Sequence, residues 1–74
     1  MTAKTTDPRQ PLGRAIRARR HALGLTQEQL AEKADLHWTY ISGIERGVRN
    51  VTIVNLFQIA LALQVRVRDL VKNL

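Results

Sequence analysis

The sequence predicts an all-α fold of five helices, on three observations. Thr26 and Gln29 form a capping-box pair at the head of one helix. Leu12, Ile16, Arg20 and Leu23 recur at helical spacing, as do Val67, Leu70, Val71 and Leu74 near the end. Between these stripes, the stretch from Ile53 to Leu63 is apolar on nearly every side.

Residues 1–10, MTAKTTDPRQ, are polar and contain Pro8. They are expected to form a disordered arm, with the folded domain spanning 11–74. Pro11 suits the first turn of a helix that Gly24 ends. Arg20 lies on the apolar stripe of this helix, and a buried charge needs a partner. Glu45 poses the mirror problem, beside Ile44 and one turn beyond Ile41. An Arg20–Glu45 ion pair solves both, against the alternative of two separate surface charges.

The second helix starts at the Thr26 cap, with Leu25 and Leu30 placed for a hydrophobic staple. Glu28 in its first turn suits the helix dipole. Leu30, Ala31 and Ala34 form a narrow inward stripe. The helix is expected to stop near Ala34, because Asp35 tolerates a left-handed turn. Leu36 then plugs the core. A third helix is expected from about His37 to Arg46, with Ile41 and Ile44 inward, Gly47 as a left-handed cap and Val48 packed beneath its end. Its outer side carries Trp38, Thr39, Ser42 and Gly43, with Tyr40 at an edge. That side is nearly uncharged and includes a glycine that costs a helix about 1 kcal/mol. A face built for solubility would hold Lys and Glu; this one suits close contact.

Thr52 caps the fourth helix, Ile53 to about Leu63. A helix apolar all round must be covered all round. A chain of 74 residues hides only about 60% of its surface on folding, so the other helices cannot supply that cover. The short last helix has the same excess. A second copy of the chain is the expected cover, rather than a greasy monomer with a frayed end. The expected homodimer interface is Val54, Phe57, Leu61, Val65, Val67, Leu70, Val71 and Leu74.

Twelve Lys and Arg face six Asp and Glu, a net charge of +6. Arg14, Arg17, Arg19 and Arg20 precede the helix pair, and Arg46, Arg49, Arg66, Arg68 and Lys72 follow it. Residues 21–45 hold Lys33 against Glu28, Glu32, Asp35 and Glu45. Positive charge therefore frames a neutral face, which suits a polyanion gripped at its phosphates and read at its bases. There is no cysteine and no apolar run of the roughly 18 residues a membrane span needs. The N-terminus lacks the apolar core of a signal peptide. Those features fit a cytoplasmic protein without membrane partners. His21 and His37 stand apart, with no carboxylate pair or glycine-rich loop beside them. Catalysis, a metal, a cofactor and a small-molecule ligand are therefore not expected.

Thr26-Gln27-x-x-Leu30-Ala31, followed by Tyr40-Ile41-Ser42-x-Ile44-Glu45-x-Gly47, resembles the helix-turn-helix of the phage Cro/repressor (Xre) family. The likeness covers about residues 12 to 72. It implies a lambda-repressor-like domain that binds double-stranded DNA in the major groove, in the cytoplasm of a bacterium, at its nucleoid. It departs from the family pattern at Asp35, where Gly is frequent, at His37, where Ser or Thr caps, and at Gly43, where a long polar residue is frequent. Base reading is expected from His37, Trp38, Thr39, Tyr40, Ser42 and Gly43, with core packing an open alternative for Tyr40. Backbone contacts are expected from Arg17, Gln27, Arg46, Arg49, Asn50 and Thr52, and Lys4 and Arg9 of the arm could add to them. Thr39-Tyr40-Ile41 with Arg46-Gly47-x-Arg49-Asn50 is similar to the controller proteins of restriction–modification systems, which implies activation at one occupancy and repression at a higher one. Two other functions stay open: an antitoxin whose apolar C-terminal half covers a partner protein, and a nonspecific binder of nucleic acid or membrane.

Overall fold

The first helix begins earlier than expected. Pro8 takes the cap position with φ −66°, and α1 runs Arg9–Ala22. Asp7 supplies the signal: its carboxylate accepts from the Arg9 backbone N–H (3.0 Å) and from the Arg9 guanidinium (2.6 Å). The arm expected over residues 1–10 is therefore cut short by two helical residues. The computed structural model describes residues 7–74; the expectation for Lys4 lies outside them. Among the described residues there are five helices and no strand.

Gly24, at φ +71°, turns the chain into α2, Gln27–Ala34. The capping box is complete: Thr26 Oγ1 accepts from Gln29 N (3.0 Å) and Gln29 Oε1 accepts from Thr26 N (2.8 Å). Asp35 closes α2 in the left-handed region, φ 59° and ψ 45°. The Leu36 N–H returns to the Ala31 carbonyl, and its side chain packs half-buried on the core. The third helix, α3, is Trp38–Glu45. Its N-cap is His37, whose Nδ1 accepts from Thr39 N at 3.2 Å. Gly47, φ +76°, reverses the chain at the other end, and the Val48 N–H bonds the Gly43 carbonyl. Val48 itself is 56% exposed and does not pack beneath α3 as expected; its N–H closes the helix while its side chain projects outward.

Thr52 Oγ1 caps α4, Ile53–Ala62, by accepting from Asn55 N. At the far end Arg19 Nε donates to the Leu63 carbonyl (3.0 Å), placing a cation on a helix C-terminus. A turn with Gln64 at φ +61° leads to α5, Val67–Val71, and Asp69 Oδ2 accepts from Arg66 N. α1 packs on α3 and α5, and α2 packs on α3 and α4. Ile16, Leu30, Ile41, Ile44, Ile59 and Leu63 fill the centre.

Gly13 is what lets α1 reach α3. A Cβ at that position would lie 2.8 Å from the Glu45 carbonyl oxygen and closer still to that of Ile44. Both obstacles are backbone, so the helices would have to part. Gly13→Ala gains helix propensity of about 1 kcal/mol but meets an overpacking cost that is typically 1–3 kcal/mol or more. The net expectation is destabilisation, read as a lower midpoint in urea. An unchanged or higher midpoint would mean that the helices can separate freely.

The apolar excess is real but divides unevenly. Val54, Phe57 and Leu61 are 63%, 59% and 80% exposed on one side of α4. Val65 and Val67 are half-buried at its edge. Leu70 is buried in its own core and leaves no exposed apolar surface of the kind expected of it. Val71 packs half-buried on that core, and Leu74 lies by Pro8, Leu12 and Val51, near the start of α1. Ile53, 61% exposed and not among the expected interface residues, extends the α4 face.

Candidate nucleic-acid interface

Thr39, Ser42 and Gly43 on α3, with Arg46 at its C-cap, follow helical spacing away from buried Ile41 and Ile44. Trp38 borders this face and is 45% exposed. Its ring stacks on His37, with centroids 6.5 Å apart and planes 24° from parallel. Thr39 is exposed, but its Oγ1 lies 2.8 Å from His37 Nδ1, so the cap also orients this hydroxyl. His37 thus does more as a cap than as a free reader.

The face is held from behind. Arg20 Nε meets Glu45 Oε2 at 2.6 Å and Arg20 Nη2 meets Oε1 at 2.8 Å, a two-pronged pair that fits carboxylate geometry. Arg20 Nη1 also donates to the Leu25 carbonyl at 2.8 Å. Both side chains are buried, each residue 7% exposed. The hydrogen bonds to Glu45 hold the Arg20 guanidinium above its ordinary, already high, pKa. Gln27 Nε2 adds a third donor to Glu45 Oε1 at 3.1 Å. One carboxylate at the end of α3 therefore gathers α1 and the head of α2. The expected ion pair is present, and Gln27 joins it through one Nε2 hydrogen bond.

Among the described residues, every buried side-chain polar atom has a partner, and no group of His, Asp and Glu could hold a metal. No helix there is long and apolar enough to cross a membrane.

A helix-turn-helix family model matches residues 16–70. The chain belongs to the helix-turn-helix family. Over 46 residues it is 54% identical to Control protein C.BamHI of Bacillus amyloliquefaciens, covering 62% of this chain and 57% of that protein. The restriction-modification controller protein C.AhdI from Aeromonas hydrophila superposes with a TM-score of 0.82 at 42% identity, covering 84% of this chain and 94% of that one. The master regulator for biofilm formation SinR, solved in complex with DNA, gives 0.77 at 35% identity, covering 80% and 95%.

In this helix-turn-helix, α2 and α3 are the motif and α1 braces it. Two residues expected on the recognition face sit differently from their sequence reading. Tyr40 is half-buried, its hydroxyl donating to the Asn50 carbonyl (3.3 Å) and accepting from Asn55 Nδ2 (3.1 Å). It ties α3 to the following loop and to α4, so the packing alternative describes it better than base reading. Gly43 is buried rather than open, covered by the side chain of Arg49. Thr52 caps α4 as expected, its Oγ1 accepting from Asn55 N. Arg46 and Arg49 are exposed near the end of α3, Asn50 is exposed beside Arg9 (3.4 Å), and Arg17 is exposed on α1. Asn55 is not among the expected site residues. For Asn55 no local signal exists, since its partner is fifteen residues away.

Proposed function

We propose that this protein is a sequence-specific transcription regulator that binds double-stranded DNA as a homodimer, in the manner of a restriction–modification controller. The observation that carries this is the α3 face: uncharged, exposed at Trp38 and Thr39, anchored through Glu45 and bordered by Arg46 and Arg49. A major groove admits such a helix, and cations at its margin meet the phosphates. The controller proteins among its relatives support the regulator over the antitoxin alternative. The protein works at bacterial DNA in the cytoplasm, needs no cofactor and catalyses nothing. Thr39 and Ser42 read base edges, Trp38 meets thymine methyls or sugars, and Arg17, Arg46 and Asn50 contact the backbone.

Selection of bound sites from random duplexes, at stated salt, should return an approximate palindrome. The half-sites should lie about one turn of B-DNA apart, roughly 34 Å. Arg46→Ala should weaken binding to selected and random DNA alike and flatten the salt slope by about one, whereas Thr39→Ala should cost about 1–3 kcal/mol of discrimination. Equal losses on both DNAs for both variants would refute this division of labour.

A further inference from the structure

We infer that His37, through the lone pair on Nδ1, fixes the Thr39 hydroxyl as an acceptor toward DNA, so that this position selects a base carrying an exocyclic amino group, adenine or cytosine. This rests on the DNA-binding reading above and narrows it.

Histidine is not among the usual helix caps, which are Ser, Thr, Asp and Asn. It fills that place at the head of α3 all the same. His37 is extended, φ −77° and ψ 142°, and its Nδ1 accepts from Thr39 N at 3.2 Å. The same nitrogen lies 2.8 Å from Thr39 Oγ1. A distance alone does not say which way a hydroxyl proton points. Here the backbone decides it. An amide N–H can only donate, so the Nδ1 that faces it carries a lone pair, and the proton of the ring sits on Nε2. With Nδ1 bare, the contact to Oγ1 can run in one sense only. The Thr39 hydroxyl donates, and its proton is turned toward the ring.

Only the lone pairs of Oγ1 are left to face outward. Among the described residues nothing else bonds this oxygen, and Thr39 is exposed on α3. In the major groove adenine and cytosine present amino donors, at N6 and N4. Guanine and thymine present acceptors, O6 and O4, at the corresponding places. A fixed acceptor bonds the first two and repels the others. Thr39 could meet guanine or thymine only by swinging its proton outward and giving up the bond to Nδ1. The ring that holds it is itself stacked on Trp38, with planes 24° from parallel. His37 is then a positioning residue, and Thr39 is the reader.

The test uses the full chain on the selected duplex and on duplexes with one base pair exchanged. Thr39→Val keeps the methyl group and loses the hydroxyl, so the pair at which it relaxes is the pair that Thr39 reads. There the parent should prefer adenine over guanine, or cytosine over thymine, by about 3- to 10-fold per half-site, and the variant should not. Removing the amino group alone, with purine in place of adenine or 2-pyrimidinone in place of cytosine, should cost the parent the same factor and Thr39→Val nothing. His37→Ala leaves the hydroxyl free to turn, so the oxo-bearing base should rise toward parity at that pair. The same variant loses a cap and should melt about 4–8 °C lower. His37→Asn puts an acceptor back at the cap and should restore both the melting temperature and the preference. Three results overturn the inference while leaving DNA binding intact: an oxo-bearing base preferred at the Thr39 pair, a preference that His37→Ala leaves unchanged, or asparagine restoring the melting temperature without the preference. A parent protein with no preference for any duplex overturns both readings.

Discussion

Glu45→Ala should lower the melting temperature by roughly 12 °C or more. The carboxylate is almost fully buried and takes three donors, two from Arg20 and one from Gln27. Removing it leaves the buried Arg20 guanidinium without a counter-charge, and breaking a buried pair from one side costs about 3–5 kcal/mol. A domain this small has only about 4–11 kcal/mol of total stability, and each kcal/mol is worth about 4–8 °C. The loss would consume much of the margin. The control is the double replacement Arg20→Met with Glu45→Leu. It removes both charges together, so it should restore most of the lost stability, since an apolar pair of similar size is often neutral or better. The two proteins should still differ in function: without the pair, nothing polar fixes the end of α3 to α1, and discrimination among DNA sites should fall even where the melting temperature returns. A melting temperature unmoved by Glu45→Ala would show that Arg20 can find water, and the brace would then be ornamental.

That pair was legible from the sequence because a single charge on an apolar stripe is an anomaly that demands a partner. The capping box at Thr26 and the left-handed Asp35 were legible for a different reason: each is decided within three or four residues. What escaped is what the chain decides across helices. Gly13 reads as a mild helix defect until the Ile44 and Glu45 carbonyls come up against it. Gly43 reads as an empty contact position until Arg49, six residues on, is seen lying on it. The hydroxyl of Tyr40 could have faced either way from its place at the helix edge. Only Asn50 and Asn55, folded round to meet it, decide. On α4, periodicity could not separate inward from outward, because every side is apolar. The structure sends Leu56, Ile59 and Ala60 inward and leaves Ile53, Val54, Phe57 and Leu61 outside. Leu70 was misplaced by the same ambiguity on a helix only five residues long.

The outward side of α4 sets the other large expectation. Leu61→Glu should give a folded monomer whose affinity for the full palindrome falls by about 100- to 10,000-fold, the range lost when two linked contacts become one. Leu61 is 80% exposed in the single chain, so glutamate there meets water and the helical content should hold at the concentrations used. Across a two-fold interface the same change occurs twice and faces itself or its neighbours. Each fully covered leucine contributes about 1.5–3 kcal/mol, so losing two and burying two carboxylates removes more than a small interface can spare. Light scattering should then report one chain, and a half-site should bind the variant as well as it binds the parent's single arm. Leu70→Glu is the counterpart: buried in its own protomer, it should unfold the chain instead of splitting a pair. If Leu61→Glu stays paired and keeps its affinity for the palindrome, the two copies must meet elsewhere. The apolar side of α4 would then be left for a different partner. The contrast between positions 61 and 70 is informative because both are leucines expected at the interface, one on α4 and one on α5. Only the direction each faces separates a dimerisation defect from a folding defect.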